Sequence, residues 1–342
     1  MRYTTKLLTD SPADIAVAAE LLRRGEAVGI PTETVYGLAA DATNEAAVAK
    51  IFAAKGRPQD NPLIVHVAAF EEIEPLVAAI PDTARRLADA FWPGPLTMIF
   101  PRSSRIPASV CGGLDTVGIR LPAHPVARAL IRQSGRPLAA PSGNLSGRPS
   151  PTTAAHMLED MNGRIPAIVD GGESGVGLES TVISLTEDAV RILRPGGITP
   201  DMLKSVVTTV DVDPAVTAPL ETGAKAASPG MKYKHYAPRA KVTLLRGGAA
   251  AFAAYVNARA GEHPTALCFD GEEGALTVPT LTYGKRRDAA EQAHRLFDAL
   301  RRLDEEGATR VYAACPAADG VGLAVYNRIL RAAGFEVIDL DG

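Results

Sequence analysis

The chain has 342 residues and a net charge of −3, with 46% hydrophobic, 22% charged and only 5% aromatic residues. That length allows two domains with separate cores, and no apolar run approaches the roughly 20 residues of a membrane helix. Basic residues are outnumbered in both large parts, 20 to 22 over 1–205 and 12 to 14 over 241–342, with 4 to 3 over 206–240. This balance disfavours a protein built to grip a nucleic-acid backbone.

Helix and strand signals alternate from the start. Ser11-Pro12-Ala13-Asp14 reads as an N-cap with Pro in the first turn, and Gly25 ends that helix. A short strand follows at 27–31, then a helix over 44–55 stopped by Gly56, a strand at 63–67 and a helix over 83–91. Strands are expected at 96–100, 116–120, 138–140, 167–169, 181–185 and 190–193, with a helix over 126–133. This is an α/β domain with a mixed sheet over 1–205. From Asp211 to Pro238 the Pro and Gly residues argue against regular elements, so 206–240 reads as a linker or functional loop. A second, smaller domain over 241–342 alternates strands at 241–245, 266–269, 310–313 and 336–338 with helices at 249–259, 288–306 and 323–333. That pattern is a doubly wound, Rossmann-like fold.

The three cysteines are far apart and odd in number, and the six histidines are scattered, so neither a disulfide framework nor a Cys-rich zinc site is expected. The first residues lead into no apolar signal segment, and the expected location is cytoplasmic. No Walker A pattern is present, and Gly320-Val-Gly322 lacks the third Gly of a dinucleotide fingerprint, so a packing role at a helix start is expected there. Ser142 lies in Ala-Pro-Ser-Gly-Asn, without the preceding Gly of a nucleophile elbow. Ser142 and Asn144 follow the 138–140 strand and read as ligand contacts, or as a simple polar turn. Lys55, Arg57, Arg120 and Arg194 all fall at element ends, which points to one cavity lined by cations for a phosphate chain and a carboxylate. The Gly-rich run 170–181 reads either as an anion-binding set of backbone amides or as a surface loop. The segment 228–238, Ser-Pro-Gly-Met-Lys-Tyr-Lys-His-Tyr-Ala-Pro, is too rich in aromatics and cations for a spacer.

Pro-Thr-Glu-Thr-Val-Tyr-Gly-Leu (31–38), Lys-Gly-Arg-Pro (55–58), Asn-Pro-Leu (61–63) and Gly-Ile-Arg-Leu-Pro (118–122) are joined by Ala-Pro-Ser-Gly-Asn, Glu-Ser-Thr-Val (179–182) and Leu-Arg-Pro-Gly (193–196). In this order they resemble the YrdC-like family, and the 228–238 segment with the extra α/β domain resembles its two-domain form. The family often has Ala where this chain has Gly143. The resemblance implies a YrdC-like domain with a mixed, twisted sheet around a large cavity. It implies an enzyme that condenses L-threonine, bicarbonate (or CO2) and ATP into threonylcarbamoyl-AMP and pyrophosphate, with Mg2+ arriving on the ATP. The product would pass to a downstream transferase that modifies the tRNA adenosine beside the anticodon. By matching positions, Lys55, Arg57, Asn61, Thr116, Ser142, Asn144, Ser150 and Arg194 would serve ATP, and Thr34, His66, Arg120 and Ser180 would hold threonine. His235 and Tyr236 would belong to a lid, and no dedicated metal cage is expected. An RNA-binding module and a carbamoyl-phosphate-dependent carbamoyltransferase remain as alternatives. The charge balance weighs against the first, and the lack of Cys-rich zinc segments against the second.

Overall fold

The computed structural model describes residues 3–186, 189–219, 228–229 and 235–341. The chain divides into two compact units, the first made of 1–146, 150–216 and 220–232 and the second of 147–149, 217–219 and 233–342.

In the first unit the elements run β1 (Lys6–Leu8), α1 (Pro12–Arg23), β2 (Val28–Ile30), β3 (Gly37–Asp41), α2 (Glu45–Lys55), β4 (Ile64–His66), α3 (Asp82–Phe91), β5 (Leu96–Pro101), β6 (Thr116–Arg120) and α4 (Pro125–Ser134). They continue with β7 (Leu138–Ala139), α5 (Ala154–Met161), β8 (Ala167–Val169), β9 (Thr181–Leu185), β10 (Ala189–Arg194), α6 (Pro200–Lys204) and β11 (Thr209–Val212). Local chemistry sets the helix ends. The Ser11 side chain accepts the Asp14 amide, and Asn44 accepts the amides of Ala46 and Ala47. Gly56 adopts φ +63° and stops α2, which fixes where Lys55 and Arg57 emerge.

The strands form one mixed sheet in the order β1-β8-β2-β3-β7-β4-β6-β5-β9-β10-β11. β3 shows why it is buried on both faces. Leu38 and Ala40 pack with Val48 and Ile51 of α2, while Ala39 joins Ile15, Leu22, Val126 and Leu130 of α1 and α4. Helices therefore cover both faces, and the strands need apolar residues at successive positions. The sheet runs past residue 205, because β11 pairs in parallel with β10 from Ala189↔Thr209 to Ile192↔Val212. A 3-10 turn at Pro214–Val216 follows, so the irregular stretch begins later than its Pro and Gly content indicates.

The second unit contains β12 (Lys241–Arg246), α7 (Ala249–Asn257), β13 (Thr265–Cys268), β14 (Thr280–Thr282), α8 (Ala289–Glu305), β15 (Arg310–Ala314), α9 (Gly322–Ala332) and β16 (Val337–Asp339). Its sheet, β14-β13-β15-β12-β16, is parallel throughout. Ala293, Leu296, Phe297, Leu300 and Leu303 of α8 are buried, the face that their spacing predicts. Gly322 serves packing, since a Cβ there would lie 2.5 Å from the Ala317 carbonyl oxygen. Near the carboxyl ends of these strands is a cavity of about 770 Å³, lined by Arg246, Arg286, Arg287, Cys315 and Tyr326 among others.

Candidate active site

A row of cross-strand partners crosses the first unit's sheet. His66 of β4 pairs with Arg120 of β6, Arg120 with Thr97 of β5, Thr97 with Val182 of β9, and Val182 with Arg194 of β10. Four of these five residues are polar or charged, yet His66, Thr97, Arg120 and Arg194 are all buried. The sheet thus gathers residues separated by up to 128 positions (66 to 194) onto one line.

Arg120 is the centre of this line. Its Nη1 donates to Thr34 Oγ1 at 2.9 Å, its Nε donates to the Gly94 carbonyl at 3.3 Å, and its Nη2 lies 2.6 Å from Glu33 Oε1. Thr34 is itself tied to Thr32, with the two hydroxyls 2.8 Å apart. Burial, the largest single effect, pushes the Glu33 carboxyl up, but the Arg120 charge and hydrogen bond together with the amides of Ala123 and Glu33 outweigh it and hold the group below the ordinary Glu range. Burial, reinforced by the Arg120 charge, drives the His66 imidazole down to about 3, so it is neutral at physiological pH. Glu33 was not among the residues singled out by sequence, although it stands beside Thr34. Its signal in the sequence is a carboxylate between two Thr in a buried motif.

Ser180 and Arg194 form the next group. Ser180 Oγ lies 2.7 Å from Thr97 Oγ1, and Arg194 donates through Nη2 to Ser180 Oγ at 3.2 Å and through Nε to the Ser180 carbonyl at 3.1 Å. Arg194 Nη1 also reaches the Pro229 carbonyl at 3.4 Å. A bulge between Ile192 and Arg194 shifts the β9–β10 register just before this arginine. Gly196 is obligatory for the approach, because a Cβ there would lie 2.3 Å from the Thr181 amide nitrogen. Ser150 is fully buried and donates a short hydrogen bond to the carboxylate of Glu179, a partner that sequence reasoning also passed over.

Lys55, Arg57, Asn61, Ser142 and Asn144 form a separate group on the loops after α2 and β7. Lys55 is buried and its Nζ donates to the carbonyls of Ser142 and Asn144, both at 2.5 Å, while Ser142 Oγ donates to Asn144 Oδ1 at 2.6 Å. Arg57 Nη2 donates to the Pro62 carbonyl at 3.0 Å, closing the 57–62 loop, and the buried Asn61 Oδ1 has no hydrogen-bond partner among the described residues. Thr116 starts β6, four residues before Arg120, so the two are separated by roughly 13 Å of strand. The candidate residues therefore form two groups, one along the sheet row and one on the loops. At Gly143 a Cβ would come 2.6 Å from Met157 Cε, so an Ala there requires that flexible side chain to move.

The Gly-rich run after β8 is spoken for by the protein itself. Gly171 donates to the Tyr36 hydroxyl, Gly172 to Asp170 Oδ1, Ser174 to the Thr152 carbonyl and Val176 to the Glu33 carbonyl. These bonds pin the first half of the run, 171–176, as a brace beside Glu33. In the 228–238 segment, Lys232, Tyr233 and Lys234 lie outside the described residues. His235 and Tyr236 belong to the second unit, with ring centroids 5.5 Å apart, and Tyr236 packs at 5.3 Å on Phe297 with Arg328 over its ring. Among the described residues, no group of three His, Cys, Asp or Glu could hold a metal ion, and no helix is long and apolar enough to cross a membrane.

Comparison with known proteins covers both units. A sequence model of the Sua5–YciO–YrdC family, described as "Telomere recombination", matches residues 20–196, and one described as "Threonylcarbamoyl-AMP synthase, C-terminal domain" matches 198–334. The chain is 45% identical to the threonylcarbamoyl-AMP synthase of Bacillus subtilis over 98% of its own length and 97% of that protein's. It is likewise 45% identical to that of Pyrococcus abyssi, over 95% of each. A crystal structure of P. abyssi Sua5 with L-threonine superposes with a TM-score of 0.92 at 42% identity, covering 98% of this chain and 99% of that one. A P. abyssi Sua5 variant in which a His and a Tyr are replaced by Ala also superposes with a TM-score of 0.92 at 42% identity, covering 98% of each chain.

Proposed function

Because the chain belongs to the Sua5–YciO–YrdC family in its two-domain form, we propose that it condenses L-threonine, bicarbonate or CO2, and ATP into threonylcarbamoyl-AMP and pyrophosphate. It is an enzyme of the nucleotidyltransferase type, as its relatives are. The observation that carries the reading in the structure is the buried row, with Arg120 held between Thr34, Gly94 and Glu33. Arg120, Thr34, His66 and Ser180 take the amino acid, and the Arg120 fork matches a carboxylate in orientation as well as charge. The P. abyssi relative crystallised with L-threonine supports this choice of substrate.

The threonine amine is carboxylated and the carbamate oxygen attacks the α-phosphorus, with pyrophosphate leaving. The chain's task is to hold the reactants in line and to neutralise the leaving group. Arg57, with Lys55 bracing the Ser142–Asn144 turn, serves the triphosphate, joined by Asn61, Thr116, Ser150 and Arg194. Mg2+ enters with ATP and supplies charge neutralisation at the phosphates. No covalent nucleophile is required. His235 and Tyr236 act as part of a lid that keeps water from a carbamate and a mixed anhydride. The product serves a cytoplasmic transferase that modifies tRNA.

The test is pyrophosphate release from ATP. It should require threonine and bicarbonate together, and release at an equal rate without threonine would reduce the protein to an ATPase. For the lid, the His235→Ala, Tyr236→Ala double variant should stay folded and lose most product formation, and full activity would make the segment a tether.

A further inference from the structure

Arg120 and Glu33 form a neutral pair almost out of water, with side-chain exposures of 4% and 16%. Among the described residues Glu33 Oε1 and Arg120 Nη2 have only each other, and Glu33 Oε2 and His66 Nδ1 have no well-formed hydrogen bond. Buried polar atoms are almost always satisfied. Unsatisfied atoms on two neighbouring side chains, Glu33 and His66, mark the place of a polar ligand. Two of Arg120's three donor nitrogens are already committed, Nη1 to Thr34 and Nε to Gly94. What remains is a cation edge and a carboxylate side by side.

We propose that Glu33 is the residue that binds the α-ammonium of the amino-acid substrate while Arg120 takes its carboxylate. This rests on the functional reading above and adds to it a determinant of specificity. An α-amino acid carries its two charges on one carbon, so its receptor needs opposite charges in contact, as Arg120 Nη2 and Glu33 Oε1 are at 2.6 Å. The charge count agrees. A zwitterion entering a neutral pair leaves the site neutral, whereas a lone carboxylate would leave a buried net negative charge, which is costly in low dielectric. The neutral His66 beside the pair adds no competing cation. The position of Glu33 is fixed from behind, since its own carbonyl accepts the Val176 amide at 2.7 Å. Glu33 pairs with Arg120 in the structure, and substrate would replace that one ion pair with two.

The experiment measures binding by calorimetry on the full chain, with L-threonine and with 2,3-dihydroxybutanoate, which has a hydroxyl in place of the amine. The wild-type protein should bind threonine at least tenfold more tightly than the hydroxy acid. Glu33→Gln should weaken threonine roughly 10- to 150-fold, leave the hydroxy acid nearly unchanged and leave MgATP affinity intact. Equal losses for both ligands would mean that Glu33 merely holds Arg120, and unchanged threonine affinity would mean that it only competes for Arg120. Either result overturns the assignment. Equal wild-type affinity for the two ligands overturns it without any variant, should Glu33→Gln fail to fold. A wild-type chain that binds MgATP but no threonine sinks the functional reading itself, and this assignment with it.

Discussion

The two sheets handle charge in opposite ways. The first unit carries His66, Arg120 and Arg194 along one line of its sheet, all buried. The described strands of the second sheet bury no charged residue, with Val242, Leu244, Ala266, Leu267, Val311 and Ala313 buried alongside the neutral Thr243 and Thr265. Its strand-end charges sit at the rim, as in Arg246 and Asp339, 3.5 Å apart and each about half exposed. Its fully buried arginines, Arg301 and Arg328, come from α8 and α9. Burying ions inside a sheet costs desolvation that an apolar replacement would avoid. The second sheet shows that the chain can build an α/β core without it. On the proposed function, the buried row is a binding feature retained at the expense of stability.

The largest effect expected from breaking this contrast is at Arg120. Arg120→Ala leaves Glu33 as an unpaired buried carboxylate and should destabilise the first unit by about 3–5 kcal/mol. Trp92, the only tryptophan and a first-unit residue, reports that transition by fluorescence in urea. Recovery of much of the loss in the Arg120→Ala, Glu33→Ala double variant would confirm the cause. Next, Arg57→Ala should weaken ATP binding by about 1.5–3 kcal/mol and leave threonine binding nearly unchanged. Equal loss of both ligands would break the division between loop group and row group.

His66 gives an effect that depends on pH. Its folded value is lowered to about 3 from 6.5, so the unfolded chain takes up the proton first as pH falls. Its contribution is complete above about 6.5 and is lost progressively toward 3. At pH 5 the loss should be about 2 kcal/mol relative to pH 7. The Trp92 transition checks it, and a His66→Gln variant should flatten the slope. Glu33, also lowered, adds a loss of the same sign at still lower pH. The smallest effect is in the second unit. Arg246→Ala should cost no more than about 1 kcal/mol, because its pair is solvated. A cost as large as that of Arg120→Ala would erase the contrast.

Much of this was legible in the sequence, for reasons that particular residues show. Asn44, Gly56, Ser11 and Pro12 mark helix ends through local hydrogen bonds and backbone preference, so α1 and α2 fall where their caps predict. β3 was hidden because Gly-Leu-Ala-Ala-Asp has no alternation and no β-branched residue, and only the two covering layers make it a strand. Strand order was not legible either. β1 pairs with β8, joining Leu8 to Val169, and nothing local encodes such a partner. Among the site residues, Arg120 stood out as a strand-end cation. Glu33 did not, because a carboxylate matters here only through what the sheet places beside it.

The bulge before Arg194 has a consequence for how such chains evolve. In a regular strand, side chains alternate, and Arg194 would share a face with Val190 and Ile192, both buried in the core. The extra residue puts the end of the strand out of phase with its beginning. One strand can then spend its first residues on packing and deliver its last to a ligand. It follows that one more residue inserted between Ile192 and Arg194, harmless in a surface loop, would turn the arginine back to the face of Val190 and Ile192 while leaving every functional side chain in the chain.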